Sequence, residues 1–285
     1  MDNLTIQQAL DMGIQALKNH SDSAKTDAET LLCDVLHCNR TKLIVDANYI
    51  LTSEQACLWQ EYLQQRIQGR PVSYIIGHQD FWTLSLDVNE STLIPRPETE
   101  LLVELTLDLT VADNSCCLDL GTGTGAIALA IASERKGWQV TGCDRITEAV
   151  QLAAHNQRKN HVENARFLVS HWFSALGEQA FDVIVTNPPY VESDSAYLTQ
   201  GDLRFEPGSA LTSGEDGLDD IRLIIPQARQ HLKSDGWLLI EHGFKQANAI
   251  QELFADAGYE QIQTRQDCAG HDRVTFAQFK LHNPL

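Results

Sequence analysis

The chain is short of positive charge. Its 285 residues hold 21 lysines and arginines against 39 aspartates and glutamates, a formal net charge of −18. The deficit runs along the whole chain: residues 1–88 carry 6 basic and 11 acidic side chains, and the remainder carries 15 and 28. Proteins that grip a nucleic-acid backbone do so with Lys and Arg, so neither part suits direct nucleic-acid binding. The acidic balance serves solubility or the steering of a basic partner. Metal-ligand spacing is also missing. Seven cysteines include no Cys-x-x-Cys pair, and ten histidines show no His-x-x-x-His or His-Glu-x-x-His pattern, so no metal is expected. An odd number of cysteines, several within apolar runs, reads as reduced, buried thiols rather than a disulfide framework. Long apolar runs are absent as well. AIALAIA at 126–132 is far too short to cross a bilayer. The start, MDNLTIQQAL, has neither a basic opening nor an apolar stretch of the targeting kind. These absences lead to the expectation of a cytoplasmic monomer with no membrane partner.

What is present falls into two rhythms. ALDMGIQALKNH, AETLLCDVLHC and SEQACLWQEYLQQRIQ place apolar residues at three-and-four spacing, the mark of amphipathic helices. The third begins at Ser53, a plausible N-cap with Gln55 behind it. From Pro71 the pattern changes. The stretch from YIIGHQDF to STLIP alternates in short pieces, FWTLSLDV most clearly, and predicts a hairpin. Pro95 and Pro97 then stop the strand and start a helix at ETELLVELTLDL. Beyond residue 115 strands and helices alternate. The strands are CCLDL (116–120), WQVTGCD (138–144), ARFLVS (165–170), FDVIVT (181–186) and WLLIEHG (237–243). Such alternation demands a parallel sheet with helices on both faces. YEQIQTRQD and DRVTFAQFK add a terminal antiparallel hairpin. Pro226, inside a helical pattern, predicts a kink or break. The expected organisation is a helical bundle over residues 1–72, a connecting β-hairpin over 73–95 and a Rossmann-like α/β domain over 96–285.

Two motifs carry chemistry. In LDLGTGTGAIALAIA (118–132) a buried strand runs into Gly121, Thr122, Gly123, Thr124 and Gly125 and then into a helix. Glycines at such a turn let the backbone approach a ligand closely, with helix N–H groups pointing at it. Asp144, at the end of the next strand, is placed to accept hydrogen bonds from two ribose hydroxyls. The pair reads as an adenosine-type cofactor site. Gly121, Gly123 and Ala126 also satisfy a nicotinamide fingerprint. Asp119, just before the turn, suits a cationic ligand and would repel a pyrophosphate, which favours S-adenosyl-L-methionine.

The second motif, Asn187-Pro188-Pro189-Tyr190, follows the strand FDVIVT and supports the same choice. An amide or aromatic amine nitrogen is a poor nucleophile because its lone pair is delocalised. The Asn187 oxygen and a backbone carbonyl, with Pro188 the obvious donor of that carbonyl, hold its two hydrogens and aim it at a methyl donor. Tyr190 offers a flat face for a planar group. A turn after a strand is the plain alternative. Trp172, next to His171, either covers an adenine or packs in the core. IPRPETE (94–100) either lines the site or begins a helix with acidic residues in its first turn.

Taken in order, IPRPETE, DLGTGTGAIALA, NPPYV, RFEPGSAL and GEDGL resemble the HemK-type protein glutamine methyltransferases. More narrowly, they resemble the bacterial enzymes that methylate the glutamine of the Gly-Gly-Gln tripeptide in class 1 peptide chain release factors. The resemblance covers nearly the whole chain. It implies a seven-stranded methyltransferase sheet over 96–285 and a helical bundle that helps to dock the release factor. It implies that Gly121 to Gly125, Asp144 and Trp172 contact S-adenosyl-L-methionine. Asn187, Pro188, Pro189 and Tyr190 would grip the glutamine amide, with Asn187 also near the methyl group, and the products would be N5-methylglutamine and S-adenosyl-L-homocysteine. NPPY alone is shared with N6-adenine DNA and RNA amino-methyltransferases, which are one rival reading. A glutamine methyltransferase acting on a ribosomal protein is another.

Overall fold

A computed structural model describes residues 4–281. Two compact units emerge: residues 4–78 together with Ala196–Phe205, and residues 79–195 together with 206–281.

The first unit is helical, with α1 (Ile6–Leu17), α2 (Ala24–Val35), α3 (Arg40–Val45), α4 (Ser53–Ile67) and α5 (Val72–Ile76). Helix α4 is capped by Thr52, one residue before the expected Ser53. Thr52 accepts from the Gln55 backbone while the Gln55 side chain accepts from the Thr52 backbone, because the reciprocal box needs its two members three residues apart. Apolar faces meet around Ile6, Leu17, Leu31, Leu32 and Trp59. Gly13 is required there, since a Cβ would lie 2.5 Å from the Trp59 ring. Arg66 is buried in this unit. It pairs with Asp27 at 2.7 Å and with Asp202 at 2.8 Å. Asp202 comes from the far-off segment Ala196–Phe205, whose Arg204 also donates to the Gln68 carbonyl at 3.1 Å.

The second unit begins within the hairpin of β1 (His78–Phe81) and β2 (Leu84–Asp87). The pairing is shorter than the expected 73–95. Pro71 fixes the entry to α5, whose Ile75 joins the helical core, and Gly77 ends it at φ 80°. There follow α6 (Glu100–Asp108), β3 (Cys116–Leu120), α7 (Ala126–Glu134), β4 (Gln139–Asp144), α8 (Thr147–Lys159), β5 (Ala165–Val169), β6 (Phe181–Thr186), α9 (Asp219–Ala228), β7 (Leu232–Glu241), α10 (Ala247–Asp256), β8 (Glu260–Gln266) and β9 (Asp272–Gln278). Seven strands make one sheet in the order β5-β4-β3-β6-β7-β9-β8. The first five are parallel, and β9 is antiparallel to both its neighbours.

Successive residues on the central strands serve opposite faces. Val183, Val185 and Leu239 pack with α7 in one core, while Ile184, Leu238 and Ile240 pack with α9 and α10 in the other. Helix α7 is apolar all round because every residue from Ala126 to Ala132 is buried. Pro226 sits in the last turn of α9. The helix runs through it and ends two residues later, so the expected interruption becomes a terminus. The thiols divide: Cys117 and Cys143 are buried, but Cys57 and Cys268 are exposed, and all seven are free. No helix among the described residues is long and apolar enough to cross a membrane.

Candidate functional site

Strand order reverses between β3 and β6, and a crevice opens beyond their carboxyl ends, where parallel sheets hold ligands. The turn after β3 is built from left-handed glycines: Gly121, Gly123 and Gly125 have φ of 72°, 53° and 84°. A side chain at any of them would be strained. Backbone N–H groups of Gly121 and Thr122 donate to the Cys143 carbonyl at 2.9 Å, fixing the turn to β4.

Asp119 does not line the crevice. Its side chain is wholly buried, and Oδ2 accepts from Thr122 Oγ1 at 2.7 Å and from the Ala128 backbone at 3.2 Å. It therefore anchors the glycine turn from behind rather than facing a ligand, which corrects the expectation drawn from its position. Burial pushes its carboxyl up to about 7, against those two hydrogen bonds and with help from nearby Asp144. The consequence for stability has a definite sign. The folded value lies above the ordinary 3.8, so stability is full at low pH and is lost as pH rises toward and through 7. We expect Asp119→Asn, which keeps the accepting oxygen, to remove a slope of up to about 1.4 kcal/mol per pH unit between about pH 5 and 7. Urea unfolding at several pH values reads this directly, and parallel curves for variant and wild type would contradict it.

Asp144, at the end of β4, accepts from the Gly123 backbone at 3.0 Å and from the Ile146 backbone at 2.9 Å. Its oxygens keep further lone pairs for a ligand. Trp172 follows β5 with φ 48°, a conformation costing about 1–3 kcal/mol that such sites often retain. Its Nε1 donates to Asp220 at 3.2 Å, and its ring lies against Gly121. The Trp172 ring lines the crevice and also packs on the core behind it.

The crevice holds a water-accessible volume of about 120 Å³ and is open to solvent at its mouth. Gly121, Thr122, Gly123, Thr124, Asp144 and Trp172 line it together with Asn187 and Pro189. Gly125, Pro188 and Tyr190 do not. Gly125 caps α7. Tyr190 turns its hydroxyl to Glu241 Oε1 at 3.3 Å, and burial pushes its phenol well up. Its backbone N–H, like that of Val191, bonds the Leu211 carbonyl, so the loop is pinned along its length. The Asn187 amide donates through Nδ2 to Thr99 Oγ1 at 3.2 Å, which leaves Oδ1 as the acceptor for the crevice.

IPRPETE does both things proposed for it. Pro95, Arg96 and Thr99 line the crevice, and Pro97 opens the turn Pro97–Thr99 that leads into α6. Four residues that sequence reading missed hold this arrangement. Thr99 orients Asn187. Glu206, with its side chain fully buried, accepts from the Ile94 backbone at 3.0 Å and from the Arg96 guanidinium. Asn156 joins the Asp87 and Thr124 carbonyls at 3.0 and 2.9 Å, tying β2 to the glycine turn. Glu241 lies behind Tyr190. The only signal for them was membership of the quoted segments IPRPETE, RFEPGSAL and WLLIEHG, or, for Asn156, a polar residue on the apolar face of α8.

A glycine turn, a strand-end carboxylate and an indole over one crevice fit an adenosine-bearing ligand, and an outward carbonyl oxygen fits a planar N–H group. Known proteins agree with that chemistry. A family profile described as PrmC N-terminal domain matches residues 8–77, and one described as methyltransferase small domain matches 97–204. The chain is 44% identical over 278 residues to the release factor glutamine methyltransferase of Shewanella oneidensis, covering 98% of this chain and 97% of that one. It is 47% identical over 280 residues to the protein of the same name from Vibrio cholerae, covering 98% of each. Among solved structures, a methyltransferase from Pyrococcus furiosus superposes with a TM-score of 0.52 at 21% identity, covering 69% of this chain and 89% of that one.

Proposed function

Because the chain belongs to the release factor glutamine methyltransferase family, we propose that it transfers a methyl group from S-adenosyl-L-methionine to the side-chain amide nitrogen, N5, of the Gly-Gly-Gln glutamine in a class 1 peptide chain release factor. The observation that carries this reading is the Asn187 amide, fixed by Thr99 with its oxygen left for the crevice that Asp144 also lines. S-adenosyl-L-methionine supplies an electrophilic methyl on a cationic sulfur. Asp144 binds the ribose hydroxyls, the glycine backbone admits the ligand closely, and Trp172 covers the adenine. The glutamine amide offers two N–H groups. Asn187 Oδ1, in the crevice, accepts one, and the other is assigned to the Pro188 carbonyl of the adjoining loop, which does not itself line the crevice; together they orient the nitrogen and stabilise the positive charge that grows on it. The Pro-Pro pair offers no backbone N–H to compete for these acceptors. No base is needed before transfer. Tyr190 stiffens the loop through Glu241 rather than reaching the crevice. In this reading the helical bundle, residues 1–72, helps to hold the release factor, the domain from 96 onward performs the transfer, and the enzyme acts as a cytoplasmic monomer without nucleic acid.

The test uses radiolabelled S-adenosyl-L-methionine and unmodified release factor beside DNA, RNA and ribosomal protein. We expect label in the release factor that vanishes when its Gly-Gly-Gln glutamine is replaced. Label in nucleic acid instead would mean that Asn187 to Tyr190 grip a base, and label in ribosomal protein would move the substrate within glutamine chemistry.

A further inference from the structure

The segment GEDGL (214–218) takes no part in methyl transfer, yet its glycines fold the chain tightly back on itself. Gly214 has φ 76°, and a Cβ there would lie 2.1 Å from Asp219 Oδ2. Gly217 has φ 74°, and a Cβ there would lie 2.2 Å from the Tyr190 carbonyl oxygen. Only glycine suits both the conformation and the space. The turn brings Ser213 and Asp220 together as a closed pair. The Ser213 hydroxyl donates to Asp220 Oδ2 at 2.7 Å and accepts from the Asp220 backbone N–H at 2.8 Å. The second carboxylate oxygen, Oδ1, takes the Trp172 indole N–H at 3.2 Å.

The pair is itself anchored. Ser213 is buried, and its backbone N–H donates to the Val191 carbonyl at 3.0 Å. Gln246 Nε2 donates to the Tyr190 and Asp216 carbonyls at 3.0 and 3.1 Å, which fastens the turn to the same loop. Trp172 has less to hold it. It is half-buried at the crevice wall, and its left-handed backbone is tied by the Ser170 hydroxyl, which donates to its carbonyl at 2.7 Å. An indole has a single polar handle, its N–H, and here Asp220 takes it.

We propose that Ser213 and Asp220 are positioning residues for the cofactor: they hold the Trp172 indole in the plane that receives the adenine, so the ligand meets a ring already in place. The geometry stands by itself; its consequence for affinity rests on the reading of Trp172 as the adenine cover. The argument is one of freedom removed. The benzo edge of the ring lies toward Gly121, where a Cβ would sit 3.5 Å from Cζ3. The bond at Nε1 fixes the opposite edge, and two fixed edges define a plane. By taking Oδ2, Ser213 leaves Oδ1 for the indole. A ligand that stacks on a ring already fixed does not bear the cost of stopping it, a difference of about 3- to 10-fold in affinity for one ordered side chain.

Two measurements on the full chain test this. The first needs no ligand. The Trp172 indole N–H signal is identified in 15N NMR spectra by its absence in Trp172→Phe. We expect it to shift upfield in Asp220→Ala, as an indole released from a carboxylate does. It should stay near its place in Asp220→Asn, whose Oδ1 still accepts and whose Nδ2 can donate to Ser213 Oγ. An unmoved signal in Asp220→Ala overturns the proposal. The second is calorimetry of S-adenosyl-L-homocysteine binding over a double-mutant cycle. Asp220→Ala should weaken affinity about 3- to 10-fold in the wild-type background and leave it unchanged beside Trp172→Phe, since a phenyl ring has no N–H to hold. Ser213→Ala should give a smaller loss that is likewise absent beside Trp172→Phe. Equal losses in both backgrounds would mean that Asp220 acts on the ligand or the fold directly, and overturn the proposal. Wild-type affinity in Asp220→Ala overturns it too, as does an Asp220→Asn that binds as weakly as Asp220→Ala. A wild-type chain that binds neither S-adenosyl-L-homocysteine nor S-adenosyl-L-methionine would sink the cofactor reading instead, while the indole signal still decides whether Asp220 fixes the ring.

Discussion

Asn187→Ala is expected to lower kcat for glutamine methylation about 10²- to 10³-fold while cofactor binding stays mostly intact. Its oxygen meets charge that develops only as the new bond forms, and losing one such pre-aimed group typically costs that much. Water entering the space left by the side chain is a poor substitute, because it must be oriented at the moment of reaction. The structure adds a control. The bond to Thr99 leaves with the side chain, but the backbone N–H groups of Tyr190 and Val191 still bond the Leu211 carbonyl, so the truncated loop should keep its path and the fold its stability. Single-turnover kinetics beside calorimetry of cofactor binding separate the two effects. Normal turnover in the variant would end the role assigned to Asn187.

The second large effect falls on binding. Asp144→Ala should weaken S-adenosyl-L-methionine affinity roughly 100-fold, from the loss of hydrogen bonds to a charged acceptor worth about 1.5–3 kcal/mol each. Part of the loss is indirect. Asp144 also holds the Gly123 and Ile146 backbones at 3.0 and 2.9 Å, so the alanine loosens the turn as well as the ribose grip. Asp144→Asn keeps one accepting oxygen and should lose less. Unchanged affinity by calorimetry in Asp144→Ala would remove Asp144 from the cofactor site.

The parts of this molecule that could be read from sequence are those in which neighbours along the chain share one environment. Apolar runs such as FDVIVT mark buried parallel strands, and Phe181–Thr186 is one. The glycine turn was readable because its conformation is forced locally, residue by residue. Asn187 was readable because the strand before it delivers it to the sheet's carboxyl edge. What could not be read is through-space pairing. Thr99 and Asn187 are 88 residues apart, Ile94 and Glu206 are 112 apart, and Arg66 and Asp202 are 136 apart. Such pairs leave no period in the sequence, because a single polar residue inside a turn looks the same whether or not it meets a partner. Asp119 was misread for a related reason. Position beside the glycine turn was visible, but the direction of its carboxylate, inward to Thr122 and Ala128, was not.

Arg66 also carries a message about assembly in time. A growing chain emerges from the ribosome with α1 to α5 complete at residue 76, yet one of the two carboxylates that neutralise Arg66 is Asp202. Until then Arg66 keeps Asp27 but lacks its second carboxylate, so the helical unit gains this ion pair only once synthesis has passed the Asn-Pro-Pro-Tyr loop and reached Phe205. An excised fragment ending at residue 78 would lack that pair, and a chimaera that keeps it must borrow both stretches of chain.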